Sequence, residues 1–392
     1  MSDPTKTIED PYEPLDGLTK ELSENQKIYD AYFDLEFARA LADQIFEILG
    51  KYYFRAKMIG FENGLDKQNN PERPLLYISN HSGMSFPWDG MMMCAMFLRK
   101  NNYELKEAFR PIVAPILSMS TLMNPYLIKD FWKRAGAVDA TFKNLETMLH
   151  YQNSNLLVYP EGVAGISKGF NKRYKLQKFS SSFVYNCIKY KTDAVAVVTV
   201  NGEYINPYSY GFDWLNKLLN KIGIPFLPIC WLTLLLPLQP WIFYFSLPAK
   251  LTYIRTRRIK PYEMTDKSIE ELSRVELQEI AEICRLQVQE DLDKAVEKYG
   301  KEPYALKEHL RTIFQNLQLF PYTIPPFWPF LFAEFERAYE ERKKTGKPMD
   351  MRLGKFSILR ILFQNPIIFC YFIPIIGWIP ILIKGYRNSK IK

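Results

Sequence analysis

Three short apolar runs, each closed abruptly by a polar or glycine-bearing turn, limit most tightly what this chain can become. Leu75–Ser79 stops at Asn80-His81-Ser82-Gly83, Leu156–Tyr159 at Pro160-Glu161-Gly162, and Ala194–Val200 at Asn201-Gly202-Glu203. Runs so brief and so apolar read as strands buried on both faces. Helical stretches lie between them: Gly90–Leu98, Phe142–His150 and Ser180–Tyr190. Alternation of this kind predicts an α/β fold built on a mixed sheet flanked by helices. Ligands bind such sheets where strands end at their carboxyl edge, so the three polar endings are expected to share one cleft.

The rest of the chain divides by composition. Residues 1–24 are polar, with Pro4, Pro11 and Pro14, and read as a loose leader; they are acidic and lack an apolar h-region, so no signal peptide is expected. Apolar residues then recur at helical spacing from Ile28 to Leu49, with Gly50 as the expected stop. Residues 25–300 are expected to form the α/β domain, with this helix at its amino end. Ile222–Ala249 carries no charge but five prolines, which argues for broken segments, partly core and partly facing a membrane. The basic string Ile254–Lys260 is expected to meet lipid headgroups, and Ser268–Tyr299 to form a long surface helix. Residues 301–392 are read as a helical, membrane-associated region. Within it Ile361–Ile383 is uncharged and, if wholly helical, about 34 Å long, against roughly 30 Å for a bilayer core. Pro366, Pro374 and Pro380 favour an interfacial anchor, with Lys384, Arg387, Lys390 and Lys392 at the cytoplasmic face.

Composition supports the membrane reading. Aromatic residues make up 15% of the 392 residues, more large apolar surface than the core requires. The formal charge of +8 suits an anionic membrane surface or a phosphorylated ligand, and without a basic stripe interleaved with aromatics no nucleic-acid partner is expected. Five cysteines, widely spaced, form neither a disulfide framework nor a metal spacing, so reduced thiols and no metal site are expected.

Of the three histidines, His81 alone follows a buried strand, and Asp89 is the carboxylate placed to fix its tautomer and support its imidazolium if the loop between them folds back. Glu161 and Gly162, at a second strand end, suit orientation of a hydroxyl acceptor. Lys168, Lys172, Arg173 and Lys175 form a cluster suited to phosphate or to a solvated face. No Walker motif, dinucleotide fingerprint, HExxH or nucleophile elbow stands in a suitable context.

The order Asn80-His81…Asp89, Gly136-Ala137-Val138, Tyr159-Pro160-Glu161-Gly162 and Val197–Gly202 resembles the glycerolipid (lysophospholipid, PlsC-like) acyltransferase family over roughly residues 50–260. The string Glu161-Gly162-Val163, with Gly165 and Lys168, looks most like the branch grouped with monoacylglycerol and diacylglycerol acyltransferases. The resemblance implies transfer of a fatty acyl chain from an acyl-CoA or acyl carrier protein thioester, the co-substrate, to a lipid hydroxyl, without a bound cofactor. By the same resemblance His81 is the general base, Asp89 its support, and Asn80, Ser82, Gly83, Glu161, Gly162, Lys168 and Arg173 hold substrate. Backbone amides of Ser82–Met84 would face the oxyanion, and Phe86, Trp88 and Met91–Met93 the acyl channel. Two departures stand out: seven residues separate His81 from Asp89, more than is usual, and Val163-Ala164 replaces the threonine-arginine pair that would grip an acceptor phosphate. The rival readings are a lipid hydrolase using Ser82 or Ser85, and a non-catalytic lipid-binding protein of the same shape.

Overall fold

The computed structural model describes residues 18–83, 86–220, 227–349, 351, 353 and 357–384. Among the described residues seven strands form one sheet: β1 (Lys57–Ile59), β2 (Leu76–Ser79), β3 (Phe109–Val113), β4 (Val138–Asp139), β5 (Asn155–Val158), β6 (Ala194–Val200) and β7 (Thr252–Ile259). Their order is β1-β7-β6-β2-β5-β3-β4. The sheet is mixed: β6 and β7 run antiparallel and every other neighbouring pair is parallel. The three apolar runs are its centre, with Ile78 of β2 opposite both Val158 of β5 and Ala196 of β6.

Alternation along these strands feeds two cores. Leu75, Tyr77, Leu157, Val195 and Val197 face one side; Leu76, Ile78, Leu156, Val158, Ala196 and Val198 face the other. The first side is covered by helices Leu35–Leu41, Trp88–Lys100 and Trp328–Thr345, which bury Phe37, Trp88, Trp328 and Phe335 together. The second is covered by Phe142–Met148, Ser182–Tyr190 and Arg274–Tyr299, the last opened by a Ser273/Glu276 capping box. Region 301–392 thus contributes Trp328, Phe332 and Tyr339 to the same core as the sheet.

Several expectations change. The helix expected over 28–49 is interrupted, because Asp34 accepts the Phe37 N–H and starts a new helix there. Gly50 does not stop it; helical turns continue to Tyr53, and the glycine admits the Met92 sulfur, which a Cβ would meet at 2.8 Å. The basic string at Ile254–Lys260 lies mostly in β7, and its charges are matched within the protein rather than left for headgroups. Arg255 pairs with Asp66, Arg257 with Asp291 and Glu290, Arg258 with Asp193, and Lys260 with Glu263.

The apolar segments are broken. Trp231–Leu235 is a short helix followed by a 3₁₀ stretch at Pro240–Tyr244, whose Trp241 and Tyr244 are core residues. Ser357–Gln364 is helical, Pro366–Tyr371 and Ile376–Trp378 are 3₁₀, and Ile379–Lys384 is a single helical turn and a half. Proline cannot donate the next helical bond, which explains each interruption. Among the described residues no helix is long and apolar enough to cross a membrane. Arg387, Lys390 and Lys392, with Met84, Ser85 and the amino-terminal acidic residues, lie outside the described residues.

Candidate active site

Because β6, β2 and β5 are adjacent and parallel, their polar endings fall side by side at one sheet edge. Glu161 ties two of them together. One of its oxygens accepts the His81 backbone N–H at 2.8 Å and the other the Gln177 N–H at 2.6 Å. Helix Gly162–Ile166 passes so close that a Cβ on Gly165 would sit 2.4 Å from the Glu161 Cβ and 2.9 Å from the His81 Cδ2. Only glycine fits there. The His81 ring stacks on Tyr159, with centroids 4.5 Å apart and planes at 22°.

Asp89 enters from the first turn of the Trp88–Lys100 helix. Its carboxylate accepts from the Gly90 N–H and the Ser82 hydroxyl, and Tyr253 Oη donates to its backbone carbonyl at 2.7 Å. Gly202 makes room for this arrangement: a Cβ there would lie 2.8 Å from the Ser82 Cβ and 3.4 Å from Asp89 Oδ2. Among the described residues no hydrogen bond joins Asp89 to the His81 ring. Both side chains line the same cavity.

Burial dominates the electrostatics. It lowers the His81 imidazole to about 3, with the Lys168 ammonium adding to the effect, so the ring is neutral at neutral pH. It pushes the Asp89 carboxyl up to about 6, against the hydrogen bonds from Gly90 and Ser82 and with help from nearby Glu203. It also raises Glu161, opposed chiefly by Lys168. The Lys168 side chain is wholly buried, its Nζ 3.4 Å from Glu203, 3.8 Å from Glu161 and 3.4 Å from the Lys175 carbonyl.

The expected site residues therefore separate into groups. His81, Asp89 and Gly162 border the cavity. Ser82 holds Asp89, which points its hydroxyl away from the role of a nucleophile beside His81. Gly83 takes a positive φ of 84°, turning the chain after the strand. Asn80 is a structural splice: its amide donates to the Thr199 carbonyl at 3.0 Å and accepts the Thr199 N–H at 2.7 Å, so it extends the β2–β6 ladder. Lys168 neutralises the carboxylates from behind. Arg173 is exposed over the Phe170 ring, outside the cavity wall. Sequence reasoning passed over Glu203 and Tyr159 as site residues, although both stand in the strand-end strings.

The cavity measures about 880 Å³, within the roughly 300–1,000 Å³ of small-molecule sites. Its lining is overwhelmingly apolar. Met91, Cys94, Ala95 and Leu98 recur at helical spacing along the Trp88–Lys100 helix and face it with Phe86. The acyl-channel expectation narrows accordingly, since Trp88, Met92 and Met93 point into the core instead. Leu232, Leu236 and Trp378, from the two broken apolar segments, close another side. Among the described residues no three metal-ligating side chains converge.

No known family profile matches the chain. It is similar to uncharacterized proteins of Mycobacterium bovis and Mycobacterium tuberculosis, 26% identical over 234 residues, covering 59% of this chain and 60% of each relative. An uncharacterized protein of Mycobacterium leprae matches at the same identity over 58% of its length. The matched region thus spans about three fifths of these relatives.

Proposed function

We propose that this protein is a membrane-associated O-acyltransferase of the glycerolipid type, moving a fatty acyl chain from an acyl thioester to the hydroxyl of a glycerolipid or related lipid alcohol. One observation carries the reading: an apolar cavity large enough for a lipid chain has His81 and Asp89 in its wall, with Glu161 holding the His81 backbone from the neighbouring strand end. A neutral imidazole is the form that accepts a proton. As the acceptor oxygen attacks the thioester carbonyl, its proton passes to His81, the C–O bond forms, and the departing thiolate takes the proton. Desolvation disfavours the transient imidazolium, and the role assigned to Asp89 in this mechanism is to offset that cost as the proton arrives. Glu161 acts through the backbone, fixing where the ring stands. The donor is an acyl-CoA or an acyl carrier protein thioester, used as substrate.

Membrane association is supported by surface rather than by spanning helices. Trp231, Leu234, Phe363, Ile375, Leu382 and Ile383 are each more than half exposed. Their two segments are joined by the Trp378 indole donating to the Pro237 carbonyl at 2.9 Å and by Gln239 donating to the Ile373 carbonyl at 3.0 Å. Apolar patches of this kind mark lipid or protein contacts, and this one adjoins the cavity wall.

A second reading has one observation in its favour. Asp89 is engaged by Ser82 and Gly90 rather than by His81, which suits a lipid-binding protein that has lost the chemistry. Incubation with labelled palmitoyl-CoA and a panel of lysolipids, monoacylglycerols and diacylglycerols separates the two. Product on one acceptor class supports transfer; lipid bound without thiol release supports binding alone.

A further inference from the structure

We propose that Tyr159 is a catalytic residue, its phenol donating a hydrogen bond to the acyl carbonyl oxygen as that oxygen becomes negative; this rests on the acyltransferase reading. The Tyr159 hydroxyl is buried and, among the described residues, has no hydrogen-bond partner. Buried polar groups are nearly always paired, so an unpartnered hydroxyl in a cavity wall marks a group waiting for a ligand. Its position suits that ligand. The ring lies flat against His81, and the hydroxyl oxygen stands 2.9 Å from where a Gly90 Cβ would be, at the start of the helix bearing Asp89. Tyr159, His81, Asp89 and Gly90 border the same cavity. A carbonyl close enough for attack by an alcohol activated at His81 therefore has the phenol within its surroundings.

The step balances without any further reagent. The acceptor proton goes to the imidazole, the new C–O bond forms, and charge builds on the carbonyl oxygen, where the phenol O–H meets it and keeps its own proton. Collapse expels the thiolate, which takes the imidazolium proton. Burial also raises the phenol above its ordinary range, so it stays a donor. The glycine at position 90 has the same meaning: any side chain there would collide with the hydroxyl.

The test is Tyr159→Phe, which keeps the stacked ring and removes only the donor. Expected is a fall in kcat of about 10²-fold, as for loss of other oxyanion donors. The KM for palmitoyl-CoA should change little, and the Tm should be equal or higher, since the hydroxyl holds nothing in the resting protein. Wild-type kcat in Tyr159→Phe, with His81→Ala inactive, overturns this proposal and leaves the acyltransferase reading standing. A lowered Tm with a raised KM also overturns it, because it assigns the hydroxyl a structural partner. If the wild-type protein shows no acceptor-dependent thiol release at all, the acyltransferase reading fails first and this one with it.

Discussion

Replacing Lys168 by methionine removes a wholly buried ammonium from between Glu161 and Glu203 while keeping most of its volume. The two carboxylates are 3% and 4% exposed, so water cannot replace the lost charge. Removing one member of a buried ionic group leaves its partners uncompensated, a cost of about 3–5 kcal/mol. An exposed pair would lose no more than about 1 kcal/mol. The substitution should therefore lower Tm by roughly 10 °C, at about 2–4 °C per kcal/mol for large domains. The loss should be greatest near pH 8 and shrink as the pH falls, because burial already raises the Glu161 carboxyl and, once protonated, it needs no cation. Differential scanning calorimetry at pH 8 and pH 5 measures both features. A destabilisation below about 1 kcal/mol, or one independent of pH, would refute the claim that Lys168 is the electrostatic foundation of the site.

Other substitutions probe the same architecture. A carboxyl raised in the folded state contributes its stability below its ordinary pKa of 3.8 and loses it as pH rises through about 6, so Asp89→Asn should gain up to about 3 kcal/mol at pH 8 and nothing below pH 4 in urea denaturation. The same variant should lose transfer activity. Gly165→Ala should cost about 1–3 kcal/mol by overpacking and displace Glu161 or His81, read as lost activity with lipid binding retained. Ala95→Phe places a ring in the cavity, so competition between acyl-CoAs of graded length should shift toward shorter chains.

How much of this was legible in the sequence depends on where each partner lies. β2, β5 and β6 could be read because strands buried on both faces leave uninterrupted apolar runs, but their adjacency could not, because β3 and β4 lie between β2 and β5 in the chain. β7 could not: its arginines look like a membrane-facing string until Asp66, Asp193 and Asp291, remote in sequence, are brought to them. β3 was hidden by Pro111, and β4 by being only two residues long. His81 and Asp89 were visible as a histidine after a strand with a nearby carboxylate. The burial of Lys168 was not, because one of its counter-charges, Glu203, comes from the turn after a different strand, β6. Tyr159 was equally hidden, since only coordinates show that its hydroxyl lacks a partner among the described residues.

The most direct measurement is acceptor-dependent release of free thiol from palmitoyl-CoA by the wild-type protein and by His81→Ala. The alanine keeps the backbone N–H that Glu161 accepts, so the variant should fold with a circular dichroism spectrum like that of the parent. The account predicts thiol release that rises with added lipid alcohol in the parent and disappears in the folded variant. Equal release by both proteins would contradict it.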